Sequence, residues 1–208
     1  MIATFLRPPV RPGEYVADGI RVLIALSVVV AGWGWGAVQV AIFMLALLGA
    51  LVPRALGVRA AVDVATGLVV LVAAWSNVFH LYTEVFGWDK LIHFLLAGLL
   101  AALATITAQR SGLLPAGTGH RGGLVVVTVA FGVAAGALWE GLEWAGYTLA
   151  IAPIYVGYSD TIGDLAADAL GALAAGLALP FLAANRTTPP GASGLADSGA
   201  AVVRRATR

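Results

Sequence analysis

Residues 22–52 read VLIALSVVVAGWGWGAVQVAIFMLALLGALV, 31 residues without a charge. As one straight helix this run would be ~46 Å long, against a hydrocarbon core of ~30 Å. Its middle is Gly32-Trp33-Gly34-Trp35-Gly36. Glycine permits a tight turn, and tryptophan prefers the membrane interface. The run therefore reads as two short crossings, residues 19–34 and 36–51, with one tilted helix as the alternative. Four further spans follow at residues 60–79, 91–108, 123–144 and 161–184, each close to the ~20 apolar residues that a crossing needs. The expected fold is all-α: a polytopic membrane helix bundle of six transmembrane helices.

Composition agrees. The chain has 208 residues, 60% hydrophobic and 11% charged, with mean hydropathy +0.92. An ordinary soluble domain carries about 25% charged residues. Most of the chain is too hydrophobic for disorder. A net charge of +1, with no basic stripe, argues against nucleic-acid binding. With no cysteine, disulfides, thiolate metal sites and cysteine nucleophiles are excluded.

Charge decides between five and six spans. Six put Arg7, Arg11, Arg21, Arg54, Arg59, Arg110, Arg121, Arg186, Arg204, Arg205 and Arg208 on one side and only Lys90 on the other. This eleven-to-one split follows the positive-inside rule, whereas five spans divide the charges eight to four. Both termini are then cytoplasmic, in a bacterial cytoplasmic (inner) membrane. Residues 1–18, with Pro8, Pro9 and Pro12, read as a cytoplasmic lead-in without the pattern of a cleavable signal. Residues 19–184 form the six-span domain. Residues 185–208, rich in Pro, Gly, Ser and Ala, read as a disordered cytoplasmic tail. The glycine-rich loop around Gly117-Thr118-Gly119 lacks the lysine of a phosphate-binding loop and reads as a linker.

Polar residues gather at the other face in three clusters. Trp88-Asp89-Lys90-Leu91-Ile92-His93-Phe94 opens the fourth span, with Asp89 and His93 four apart on one helix face. Trp139-Glu140-Gly141-Leu142-Glu143-Trp144 closes the fifth, its glutamates three apart. Asp160, Asp164 and Asp168 repeat every four residues at the start of the sixth, a stripe ~12 Å long. The six-span topology sends all three to one depth, where they line a shared, outer-facing cavity. An ionised carboxylate at mid-bilayer costs about 2.5–3.5 kcal/mol on insertion scales. Six of them together require partial protonation or a cation, and Lys90 alone is insufficient. The competing reading is a set of solvated helix ends, with Asp160 as an N-cap. Glu84 reads as a solvated loop acid. Asn77 and His80 either extend the cavity or hydrogen-bond between helices. Asp63, four residues after Arg59, reads as its ion-pair partner.

At these residues the chain resembles the YjdF-like inner-membrane proteins, a bacterial family of unknown function. The shared pattern is Asp89 with His93-Phe94, then Glu140-x-x-Glu143-Trp144, then Asp160-Thr161-x-x-Asp164 ahead of Gly171-Ala172. The likeness covers residues 89–172 in motif order. Val156-Gly157-Tyr158-Ser159 stands where the family has a Gly-Thr-Gln-Gly-Asp-like stretch, and Asp168 is added. A looser similarity is to VanZ-like membrane proteins. The resemblance implies a membrane fold and no assigned reaction.

Carboxylates with one histidine suit a divalent ion such as Mg²⁺, Mn²⁺ or Zn²⁺. The candidate ligands are His93, Glu140, Glu143, Asp160 and Asp164. Asp89 is the candidate catalytic base, or the group that orients His93. Asp168 lies deeper, as a secondary partner. The first functional reading is a metal-dependent membrane enzyme, a hydrolase or transferase acting on a lipid or lipid-linked head group, with membrane lipid as its partner. The alternatives are a cation or proton carrier and a structural or accessory protein whose polar cluster ties helices together.

Reporter fusions test the topology. Those at Thr118 and Ser193 are expected to read cytoplasmic and one at Pro153 extracytoplasmic. A cytoplasmic signal at Pro153 overturns the orientation.

Overall fold

The computed structural model describes residues 2–115, 120–149 and 157–183. Among them no β-strand occurs. Six long helices carry the fold: α2 (Pro12–Gly34), α3 (Ala37–Leu56), α4 (Ala60–Val78), α6 (Trp88–Arg110), α7 (Arg121–Thr148) and α8 (Tyr158–Leu177). Three short ones, α1 (Ile2–Phe5), α5 (Leu81–Glu84) and α9 (Leu179–Leu182), lie at the start, in the α4–α6 connection and after α8. Five of the long helices are apolar and long enough to cross a membrane: α2, α3, α4, α6 and α7. The sixth, α8, has 20 residues and carries three aspartates. The chain is thus a multi-span, all-helical membrane protein.

The decisive run does break in two. Trp35 N–H reaches back to the Ala31 carbonyl at 2.8 Å, and Gly36 turns the chain at φ 86°. Only a glycine adopts that conformation without strain. The first helix begins earlier than the sequence reading placed it, because Pro12 sits in its first turn, where a missing N–H costs nothing. Much of the supposed lead-in is therefore helical. At the far end the helix expected over residues 161–184 is shorter: α8 stops at Leu177, and Pro180 lies in the separate turn α9. The call of a disordered tail falls on residues outside the described ones.

The helices form two groups of three. In one, α2, α3 and α4 pack mutually; in the other, α6, α7 and α8 do, and α4 joins the groups by lying against α6. The first group is held by a core of Ile20, Ile24, Phe43 and Val70, topped by Trp75, which stacks on Phe79 at 5.3 Å and meets Phe43 edge-on at 5.1 Å. The second group is held by small residues. A Cβ on Gly98 would lie 2.7 Å from the Gly171 carbonyl oxygen, and one on Gly171 would collide with the Phe94 carbonyl oxygen. A Cβ on Gly132 would strike Ala172, and one on Gly136 would strike the Asp168 carboxylate. In lipid, where apolar surface gives helices no reason to associate, close backbone approach supplies dispersion contacts that lipid tails cannot. Thr105 and Thr128 add a buried hydroxyl pair at 3.0 Å between α6 and α7.

A buried ionic network ties α2, α3 and α4 at the end of the bundle opposite Lys90. Arg21 pairs with Asp63 and with Asp18, the latter at 2.8 Å, and its Nε donates to the Ala50 carbonyl at 2.9 Å. Arg54 pairs with Asp18 and donates to the backbone carbonyls of Phe5 and Arg7 at 3.0 Å. The expected Arg59–Asp63 pair is corrected. Arg59 lies over the Phe181 ring, 4.0 Å from its centroid, and donates to the Phe181 carbonyl. Asp63 faces inward to Arg21 on α2, while Arg59, the N-cap of α4, reaches to Phe181.

Gly171→Val tests the α6–α8 approach. Its added atoms would meet backbone that cannot rotate away. It is expected to lower stability by roughly 1–3 kcal/mol or more, read as a lower midpoint of thermal unfolding in detergent. An unchanged midpoint would mean the helices are not held this close.

Candidate functional site

The α4–α6 connection sets the site's position. Tyr82 on α5 donates to the Ala73 carbonyl at 2.8 Å, and Trp88 Nε1 donates to Ser76 Oγ at 2.9 Å. These bonds hold the connection down on the end of α4. Burial and then the charges of Asp89 and Glu143 push the Tyr82 hydroxyl pKa above the ordinary tyrosine value, so it stays a neutral donor. Gly87, at φ 74°, turns the chain into α6, which begins Trp88-Asp89-Lys90.

From there α6 faces α8. Lys90 Nζ pairs with Asp160 and lies 3.0 Å from Asp164 Oδ1 and 3.6 Å from Asp89 Oδ2. The Asp164 contact is an ion pair without hydrogen-bond alignment. Gly163 leaves room for the lysine stem: a Cβ there would sit 2.9 Å from Lys90 Cε. One turn deeper, His93 Nδ1 hydrogen-bonds Asp168 Oδ1 at 3.1 Å. Where the carboxylate accepts, Nδ1 is the nitrogen that carries the proton. His93 Nε2 then points the other way, 3.8 Å from Asp89 Oδ1. Asp164 and Asp168 are 2% and 1% exposed. Asp168 Oδ2 has no hydrogen-bond partner and fills the space that Gly136 leaves on α7.

Three sequence-predicted residues converge closely. Asp89, His93 and Asp164 each offer a ligand atom, and these atoms lie within 4.8 Å of one another. Two ligands held ~2.0–2.6 Å from one ion are at most about 5 Å apart, so the three fit a single cation. The other candidates stand beside this trio. Asp160 is held by Lys90 in the first turn of α8; it is not the N-cap, a place taken by Gly157. Glu143 accepts from Trp139 Nε1 at 3.0 Å and lies within electrostatic reach of Asp89 and His93. Glu140 is half-buried, and its Oε1 is enclosed without a hydrogen-bond partner. Asp168 hydrogen-bonds one ring nitrogen of His93, and Asp89 lies 3.8 Å from the other. Asn77 accepts from Gln39 Nε2 at 2.9 Å, an interhelical bond away from the site. His80 sits in a left-handed turn at φ 56°, and Glu84 is exposed.

Sequence reasoning missed two features. One is Lys90 as the direct bridge between α6 and α8. The other is the glycine set that lets three helices close on the acids. Gly132-Val133-Ala134-Ala135-Gly136 carries the small-x-x-x-small spacing of close membrane helix pairs, and this signal was there to be read.

Lys90→Met leaves Asp160 and Asp164 without their cation. Breaking a fully buried pair costs about 3–5 kcal/mol. Lys90 is 38% exposed, so roughly 1–3 kcal/mol is expected after solvent screening. Thermal unfolding in detergent reads this, and a midpoint equal to that of the wild type would contradict the arrangement.

No curated protein and no solved structure matches the chain. A family does, described as predicted membrane protein (DUF2238), over residues 18–185. That match covers all three clusters and agrees with the YjdF-like pattern; it does not bear on the VanZ-like similarity. The chain belongs to this DUF2238 family of membrane proteins.

Proposed function

We propose that Asp89, His93 and Asp164 hold a divalent cation, and that this site belongs to a metal-dependent membrane enzyme acting on a lipid or lipid-linked head group. The observation that carries the reading is the histidine. Asp168 holds His93 Nδ1 and leaves Nε2 on the side of Asp89, and one ligand atom from each of His93, Asp89 and Asp164 lies within 4.8 Å of the others. A ligating histidine characteristically donates its second ring N–H to a carboxylate, which sets its tautomer and raises its basicity. Two carboxylates and one imidazole suit Mg²⁺, Mn²⁺ or Zn²⁺. Such an ion supplies Lewis acidity towards a phosphoryl or carbonyl oxygen and lowers the pKa of a bound water. In this site Asp164, Asp89 and His93 bind, Asp168 orients, and Lys90 holds Asp160 and offsets part of the negative charge. Asp160, Glu140 and Glu143 complete the acidic rim. Asp89, 26% exposed, is the ligand best placed to exchange with solvent and take a proton.

The site faces the extracytoplasmic side in this reading, with α8 as the sixth span and both termini in the cytoplasm of a bacterial inner membrane. The segregation of charge supports it. Arg7, Arg21, Arg54, Arg59 and Arg110 collect at one end of the bundle, with Arg110 on the Leu56 carbonyl and Arg54 on Asp18. Lys90 and its acids lie at the other. A second reading has one observation in its favour: Lys90 already bridges the helices through Asp160 and Asp164, so the cluster could serve as helix glue in an accessory protein. A carrier has no such support, since below Asp168 the facing stretches of α6 and α8 hold no further acid.

Elemental analysis of the purified full-length chain separates the two readings. Wild type is expected to retain about one divalent ion per chain and Asp164→Asn to lose most of it, with both folded. Equal trace metal in the two proteins would leave the accessory reading.

A further inference from the structure

Between α6 and α8, on the outside of the bundle, lies an open apolar groove of about 230 Å³. It is lined by Phe94, Leu95 and Leu99 from one helix and Gly171, Ala174 and Ala178 from the other. Its floor is the close contact of the two backbones at Gly98 and Gly171. The groove runs at least from Gly171 to Ala178, ~10 Å along α8. Its upper end is Phe94, one turn below Lys90 on the same face of α6. It therefore opens directly beneath the pair of Lys90 with Asp160 and Asp164. What surrounds such a groove at this depth in a membrane is acyl chain.

The charge above it selects among lipids. Six carboxylates gather at this end: Asp89, Asp160, Asp164, Asp168, Glu140 and Glu143. Lys90 is the only lysine or arginine between Arg59 and Arg110, and residues 122–185 have none. Even with Lys90 and a divalent ion, formal negative charge is in excess. A purely anionic head group would meet repulsion. One with a phosphate and an ammonium would not, because its phosphate can reach Lys90 or the ion while its ammonium meets the surplus acids. Glu140 Oε1, enclosed without a hydrogen-bond partner, is an acceptor of the kind an ammonium satisfies.

We propose that this groove seats an acyl chain of a zwitterionic aminophospholipid whose head group lies on the acidic cluster. The proposal rests on the reading of that cluster as a head-group site and names the substrate class. The test uses the full-length protein, stripped of lipid in detergent and titrated with phosphatidylethanolamine or phosphatidylglycerol of the same chains, with native mass spectrometry counting bound lipid. Phosphatidylethanolamine is expected to bind about tenfold more tightly. Ala174→Trp, which fills the groove from an exposed alanine, is expected to weaken that binding about tenfold and leave metal content unchanged. Leu177→Trp, on an exposed face outside the groove, is expected to leave binding unchanged.

Equal affinity for the two lipids, wild-type binding by Ala174→Trp, or equal loss in Leu177→Trp would each overturn the proposal. So would binding that rises only when the segment after Thr188 is removed, since the groove would then belong to the chain's own tail. Selective binding by a protein that holds no metal would uphold the groove and sink the metal reading alone. Metal retention without selective binding would do the reverse.

Discussion

The contact on which the site depends is the approach of α6 to α8. Gly98 and Gly171 let the two backbones close to distances that any side chain would block. Only then can Lys90, on the first turn of α6, span to Asp160 and Asp164 on the first two turns of α8. The same approach brings His93 to Asp168 one turn deeper. Packing and electrostatics are coupled here. The small residues admit the charges, and the paired charges hold together helices that lipid would otherwise solvate equally well. α7 joins by the same device, with Gly136 giving the Asp168 carboxylate its space.

The bundle carries charge at both ends, handled differently. At the Arg21 end each acid has an arginine: Asp63 with Arg21, Asp18 with Arg21 and Arg54, Glu14 with Arg7 at 3.1 Å. The forked guanidinium also donates to backbone carbonyls such as that of Ala50. At the Lys90 end one ammonium serves several carboxylates.

Much of this was legible in sequence because membrane constraints are strict. The break at Trp35-Gly36 follows from a run too long for one crossing, and the shared end of the three clusters follows from counting spans. The face of each helix also followed, since residues four apart must align. Partner choice did not follow. Spacing offered Arg59 to Asp63, but α2 brings Arg21 inward and Phe181 takes Arg59. Spacing paired Asp89 with His93, and the two do lie 3.8 Å apart, but the ring's hydrogen bond comes from Asp168 on another helix, 75 positions away. Local periodicity ranks neighbours on one helix. Which helix comes closest is decided by glycines that carry no charge and drew no notice.

Asp168 shows how these levels meet. It lies well inside α8 and is 1% exposed. A polar side chain buried this deeply needs partners. Three features accommodate it. His93 meets one oxygen, Gly136 clears a space for the other, and the Gly171–Phe94 contact holds α8 against α6 so that the first pairing persists. Removing any one feature leaves the other two without purpose. A valine at 136 would push the carboxylate off the ring, and a histidine without its carboxylate could present either nitrogen to Asp89 and Asp164. The orientation of one imidazole thus depends on two glycines on two different helices.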